Sequence, residues 1–103
     1  MFDGVIVTAS WAVKPDRVDE TVEMIRRMFL GTRLRKGFRN IRLHRSDIDP
    51  NTVVLIEEWD EAQNFHDYIQ FRTDSGEMAV LMEMAAGPAQ IGIWARSPLA
   101  EAH

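Results

Sequence analysis

The residues of this chain that could do chemistry are aromatic and hydrogen-bonding side chains gathered around one segment. Trp59 ends a strand-like run, TVVLIEEW, and the helix-like segment after it carries Phe65, His66 and Tyr68. Aromatic side chains that converge on a space form the apolar wall of a small-molecule pocket, and a few polar groups orient the ligand. The spacing therefore predicts a pocket with proton-handling groups beside it.

Two sets of residues are candidates for this pocket. The candidates for catalysis, by shaping the pocket or moving protons, are Trp59, His66, Tyr68, His44 and Asn40. The candidates for contact with the substrate are Thr8, Ser10, Phe29 and Phe65. Each also has a plainer interpretation, because large rings pack well in any core and most histidines on helix surfaces are solvated.

Composition excludes several other kinds of site. The chain has no cysteine, so disulfides, thiolate nucleophiles and cysteine-ligated zinc are excluded. Its three histidines, His44, His66 and His103, share no metal-ligand spacing, and no glycine-rich nucleotide fingerprint is present. We therefore expect neither a metal nor a cofactor. The net charge of −4 argues against a nucleic-acid partner.

The N-terminal segment lacks the marks of export or membrane insertion. It has an early acidic residue, no basic region before its apolar run, and a run far shorter than the ~20 residues of a membrane span. We expect a cytoplasmic protein with no membrane partner. At 103 residues the chain is most simply one domain, 1–103, with 97–103 as a loose C-terminal tail.

Hydrophobic periodicity predicts four strands and two helical regions. The strands are Gly4–Val13, Phe38–Arg45, Thr52–Trp59 and Ala89–Arg96. One amphipathic helix runs from Arg17 to Arg35 with Asp16 as its cap. A second helical region starts at Asp60, with Gln63 in the position of a capping box, and is interrupted at 73–75.

The order of these elements is βαββαβ, which predicts a ferredoxin-like α+β fold with a four-stranded antiparallel sheet. Helices can cover only one face of such a sheet. The first, third and fourth strands are apolar on both sides. If the second face were exposed to water, it would form an apolar patch larger than most monomers show. We therefore expect the second face to pack on an identical sheet in a twofold homodimer.

The ordered motifs resemble the antibiotic-biosynthesis monooxygenase family. The resemblance rests on the first strand ending in VKP, Thr32-Arg33 with Gly37, LHRS, an Asp-Pro turn, EEWD at 57–60 and FHDYI at 65–69. It covers about Val5 to Arg96 and implies a dimeric α+β barrel. Trp59 takes the place of the family's tryptophan near the active site.

In family members that are enzymes, a phenol or quinol is oxidised by O₂ without flavin or metal. The resemblance thus implies a cofactor-independent monooxygenase acting on a small aromatic compound. The alternative is a dimer that binds a small ligand or serves in stress without turnover. Haem breakdown is less favoured, because the first-strand asparagine of haem-degrading relatives is replaced here by Thr8 or Ser10. In addition, His66 follows Trp59 too closely to match the helix histidine that is the axial haem ligand in those relatives.

Overall fold

A four-stranded antiparallel sheet, covered on one face by helices, forms the frame of the protein. The computed structural model describes residues 3–103. Its elements in chain order are β1 (Val5–Ala12), α1 (Val18–Thr32), β2 (Phe38–Arg45), β3 (Thr52–Trp59), α2 (Ala62–Asp74), α3 (Glu77–Met84) and β4 (Gln90–Ala95). The strand order β2-β3-β1-β4 confirms the predicted ferredoxin-like α+β fold.

Strand alternation gives the sheet two distinct faces. On β1, the odd-numbered residues from Val5 to Trp11 are buried beneath the helices, while the even-numbered residues remain partly exposed. On β3 the corresponding inward residues are Val53, Leu55, Glu57 and Trp59. We call the uncovered side the open face. It carries Ile6, Thr8, Ser10, Val54, Ile56 and Trp94.

A bulge in β2 changes one predicted side-chain direction. In a regular strand Phe38 would lie on the same side of the sheet as Asn40, but the register shifts between these two residues. Phe38 consequently lies opposite Trp59, with the two rings edge to face at 5.7 Å, while Asn40 faces outward opposite Glu58. The extra residue in the bulge reverses the alternation that a regular strand would keep.

α1 buries the stripe that its periodicity predicts, including Val18, Ile25 and Met28. It ends at Thr32 rather than Arg35, because the chain turns there toward Gly37, which has a φ of 80°. Arg17, not Asp16, is its N-cap, since Asp16 belongs to a 3₁₀ turn over Pro15–Arg17. None of the helices within residues 3–103 is long and apolar enough to cross a membrane.

The start of α2 also differs from the prediction. The capping box uses Glu61 and Asn64, one residue later than Asp60 and Gln63. Asp60 instead accepts a hydrogen bond from Arg39 Nε at 2.6 Å, and its N–H donates to the Gly37 carbonyl at 2.8 Å. Because the Asn64 side chain lies against Gly37, the bulged end of β2 and the start of α2 are fixed together.

Substitution of Gly37 by alanine should destabilise the fold by more than the backbone conformation alone requires. A left-handed backbone costs an alanine about 1–2 kcal/mol, and a Cβ at Gly37 would also overlap the Asn64 side chain. Gly76→Ala is the matched control, since Gly76 has a φ of 86° but no atom within 4 Å of its added Cβ. Urea unfolding of both variants measures the difference. Equal losses would show that the contact with Asn64 is unimportant.

Candidate functional site

A cavity of about 640 Å³ lies between the sheet and the helices. The inward side chains of the strands form its floor, α1 and α2 supply aromatic walls, and α3 supplies methionines and a leucine. Its lining includes Ala9, Trp11, Ile41, Leu55, Glu57, Phe29, Phe65, His66, Tyr68, Gln70, Met78, Leu81, Met82 and Ile91. The size and the mostly apolar lining are typical of a small-molecule site.

Glu57 is the buried carboxyl group of this lining. Its side chain is 2% exposed, and its Oε1 accepts a hydrogen bond from Trp59 Nε1 at 3.0 Å. Burial among apolar groups raises the pKa of Glu57 to about 7, although the hydrogen bond from Trp59 acts in the opposite direction. A carboxyl with a pKa near 7 can both accept and return a proton at neutral pH.

Tyr68 is held at the cavity wall by a buried polar network. Its hydroxyl lies 2.8 Å from Thr32 Oγ1 and accepts a hydrogen bond from Arg72 Nε at 3.2 Å. Arg72 also donates to the Met28 carbonyl at 2.6 Å and pairs with Glu77 at 2.7 Å. The network ties α1, α2 and α3 together, so it fixes the position of the Tyr68 ring.

Trp11 contributes a polar atom with no partner. Its ring lines the cavity and is 5% exposed, yet the buried Nε1 finds no hydrogen-bond acceptor among residues 3–103. A buried donor without an acceptor costs about 1–3 kcal/mol, and such groups are rare in folded proteins. This cost is one that a bound ligand can remove.

The structure brings together four of the residues proposed from the sequence. Phe29, Phe65 and Tyr68 form aromatic walls of the cavity, and the exposed His66 lies at its rim. Trp59 is fully buried behind the lining, packed against Tyr68 with ring centres 5.3 Å apart. Trp59 therefore contacts the cavity through Glu57, which it orients.

The other four proposed residues lie across the sheet from the cavity. Thr8, Ser10, Asn40 and His44 are all on the open face, and Thr8 Oγ1 accepts a hydrogen bond from Trp94 Nε1 at 3.1 Å. Alternation causes this separation: the inward neighbours on β2 are Ile41 and Leu43, so Asn40 and His44 must point away. They cannot bond a ligand in the cavity of the same chain.

Two buried residues with polar atoms in the cavity lining, Glu57 and Trp11, were not among the sequence candidates. A signal for Glu57 was available, because it is the one charged residue in the inward set Val53, Leu55, Glu57 and Trp59 of a buried strand. A carboxylate in such a position needs a special environment. For Trp11 no sequence signal exists, since only the packed structure shows that its Nε1 has no acceptor.

Comparison with known families gives one clear match. The sequence profile of the antibiotic biosynthesis monooxygenase family matches residues 4–74, which include β1 to β3, both walls of the cavity on α1 and α2, and Glu57. A search of curated protein sequences found no significant match.

Several solved structures share the fold. A conserved protein from Methanosarcina mazei Go1 is 19% identical, with a TM-score of 0.83 over 93% of this chain and 95% of that one. Rv0793 from Mycobacterium tuberculosis is 22% identical, with a TM-score of 0.79 over 97% and 99%. A variant of SnoaB, a cofactor-independent oxygenase from Streptomyces nogalater, is 20% identical, with a TM-score of 0.78 over 96% and 99%.

The raised pKa of Glu57 should make the protein less stable as the pH rises. Near pH 4 the carboxyl is largely protonated in both states; above that, the unfolded chain ionises first, so the free energy of unfolding falls until the pH passes about 7. Between pH 4 and 8, the free energy of unfolding should fall by about 3 kcal/mol more in the native protein than in Glu57→Gln. The glutamine keeps a hydrogen-bond acceptor for Trp59 but does not ionise. Urea unfolding between pH 4 and 8 measures the difference. Parallel curves for the two proteins would contradict the shift.

Proposed function

Because the chain belongs to the antibiotic biosynthesis monooxygenase family, we propose that it is a cofactor-independent monooxygenase of a small phenol- or quinol-type aromatic compound. Family membership supports a monooxygenase-type function. The observation that carries the finer proposal is Glu57, a buried carboxyl with a pKa near 7 in an aromatic-walled cavity. Such a group suits a reaction that begins with removal of a phenolic proton.

The proposed reaction uses the substrate itself as the reductant. The Glu57 carboxylate takes the hydroxyl proton, and the resulting electron-rich anion donates electrons to O₂, forming a carbon–oxygen bond and a peroxide. Protonation by Glu57 gives a hydroperoxide on a ring carbon that bears hydrogen. Loss of water then breaks the O–O bond and that C–H bond, leaving a quinone carbonyl. One oxygen atom enters the product and the other leaves as water.

The surrounding residues have distinct roles in this proposal. Trp59 is a positioning residue, because its Nε1 holds Glu57 Oε1 at 3.0 Å and does not line the cavity. Phe29, Phe65 and Tyr68 hold the aromatic substrate, and their apolar surfaces exclude water from the anion. His66, at the exposed rim, exchanges protons with solvent.

We further propose that the protein is a homodimer joined through its open faces. The support is the set of apolar side chains that remain partly exposed on that face, namely Ile6, Val54, Ile56 and the 59% exposed Trp94. In this arrangement Thr8, Ser10, Asn40 and His44 lie at or near the seam between the two sheets rather than at the reacting atoms. A cytoplasmic location stays a prediction.

Oxygen uptake with a panel of quinols tests the enzymatic proposal. Uptake should scale with protein concentration, and Glu57→Gln should lower kcat/KM by about 10²–10⁴ because the proton acceptor is lost. Since Glu57 must be ionised, kcat/KM of the native protein should rise with pH through about 7. Glu83→Gln, on the exposed side of α3, is the matched control and should change little.

A different outcome would favour the alternative function. Tight binding of the quinols without oxygen uptake would indicate a ligand-binding dimer that uses the same cavity without turnover. Uptake that is equal in the native protein and in Glu57→Gln would instead place the proton acceptor elsewhere.

Sedimentation velocity tests the dimer. Ile56→Lys places a charge at the centre of the open face and should convert the dimer to an 11.8 kDa monomer, because the lysine would be buried in the seam opposite the like charge of Arg42. Leu34→Lys is the control, since Leu34 is 81% exposed and follows α1 on the helical side of the sheet. A native protein that sediments as a monomer would refute the proposed assembly.

A further inference from the structure

Two groups of the cavity lining, the Glu57 carboxyl and the Trp11 indole nitrogen, are buried and lie far apart along its floor. Glu57 on β3 is paired with Val7 of β1, whereas Trp11 is four residues further along β1, paired with Val53. Four residues of a strand span about 13 Å. Ala9 and Leu55 lie on the floor between Glu57 and Trp11. They are paired across the two strands, and both line the cavity.

This floor suits a flat and elongated ligand. Ala9 presents only a methyl group at the midpoint, which leaves room for a ring system, and Phe29 and Phe65 are aromatic walls of the same cavity. A ligand that lies along the floor with one end at Glu57 has its other end near Trp11. The two ends of the ligand would contact different groups, since the Glu57 carboxylate can accept a proton whereas the indole N–H can only donate a hydrogen bond.

We propose that Trp11 is a ligand-recognition residue, whose Nε1–H donates a hydrogen bond to an acceptor atom, such as a carbonyl oxygen, at the end of the ligand remote from its ionisable hydroxyl. The observation that carries this is the buried indole nitrogen without an acceptor in the lining of the cavity. The inference rests on the proposed function, because it assumes that the hydroxyl end lies at Glu57.

The unpaired donor also explains how the site would discriminate between ligands. When the bound ligand lacks the acceptor, the Trp11 N–H stays without a hydrogen bond, so the ligand gains no binding free energy at this end of the cavity. Nε1 is covered by its neighbours, and access requires a small shift of the lining. Met78 and Met82 of α3 are unbranched and flexible, which makes them suited to give way when the ligand enters.

Binding of two matched naphthols without oxygen tests the inference. One carries its hydroxyl at one end and an acetyl group at the other; the second carries the flat isopropenyl group in place of the acetyl, which removes only the acceptor. Native protein should bind the acetyl compound about tenfold more tightly, a difference of about 1.4 kcal/mol. In Trp11→Phe, which removes the N–H and keeps a ring, the two affinities should become equal.

Nuclear magnetic resonance of the native protein gives a second measurement, which does not depend on whether the Trp11→Phe variant folds. The chain has three tryptophans, so three indole N–H signals are expected. The Trp11 signal should move downfield with the acetyl compound and much less with its isostere, while the Trp94 signal, on the open face, serves as the internal control.

The outcomes separate this inference from the proposed function. Equal affinities in the native protein, an unmoved Trp11 signal, or failure of both naphthols to bind would overturn the role of Trp11, even if quinol oxidation is observed. A Trp11-dependent preference for the acetyl compound without any oxygen uptake would uphold the recognition role and refute the monooxygenase.

Discussion

The hydrogen bond from the Trp59 indole to the Glu57 carboxyl is the interaction on which the site depends. A carboxyl group in an apolar interior loses the solvation that stabilises its ionised form, so its position must be fixed by other groups. Trp59 supplies that fixation and is itself fixed, being fully buried between Phe38 and Tyr68. The packing of the core around Trp59 thus determines the position of the Glu57 carboxyl group in the cavity.

The single hydrogen bond from Trp59 offsets only part of the desolvation of the Glu57 carboxylate, and this gives the carboxyl a pKa suited to proton transfer. A carboxylate that accepts several strong hydrogen bonds stays ionised well below neutral pH, and one with none would stay protonated well above it. With one indole donor and an apolar surround, its pKa lies near 7. The cost appears as lost stability at neutral pH, which is a common feature of functional sites. Arg72, in contrast, donates hydrogen bonds to Tyr68, Glu77 and the Met28 carbonyl and serves to hold the helices together.

The alternation of the strands separates the residues of the cavity from those of the open face. Inward side chains line the cavity, whereas outward ones form the open face, which mixes apolar residues such as Val54 and Ile56 with polar ones such as His44. The same rule explains why polar residues only one position apart, such as Glu57 and Glu58, have different environments. Glu58 lies on the open face and pairs with Arg96 at 2.6 Å, while Glu57 is buried beneath the helices.

The sequence by itself determined the order of the elements, the four strands and the ferredoxin-like fold, because apolar periodicity and turn residues act locally. It also placed Phe29, Phe65 and Tyr68 around one space, since helical spacing specifies which side chains share a stripe. The β2 bulge and the exact cap of α2 depend on contacts between distant residues such as Gly37 and Asn64, and local patterns do not encode them.

Only the tertiary structure decided which polar groups share the cavity. Thr8, Ser10, Asn40 and His44 have the right chemistry, but the face on which each lies depends on which side of the sheet the helices cover. Glu57 and Trp11 acquired their significance from burial, since a raised pKa and an unpaired N–H arise from surroundings rather than from residue type. The physical reason is that solvation is a property of the packed molecule, whereas periodicity is a property of the chain.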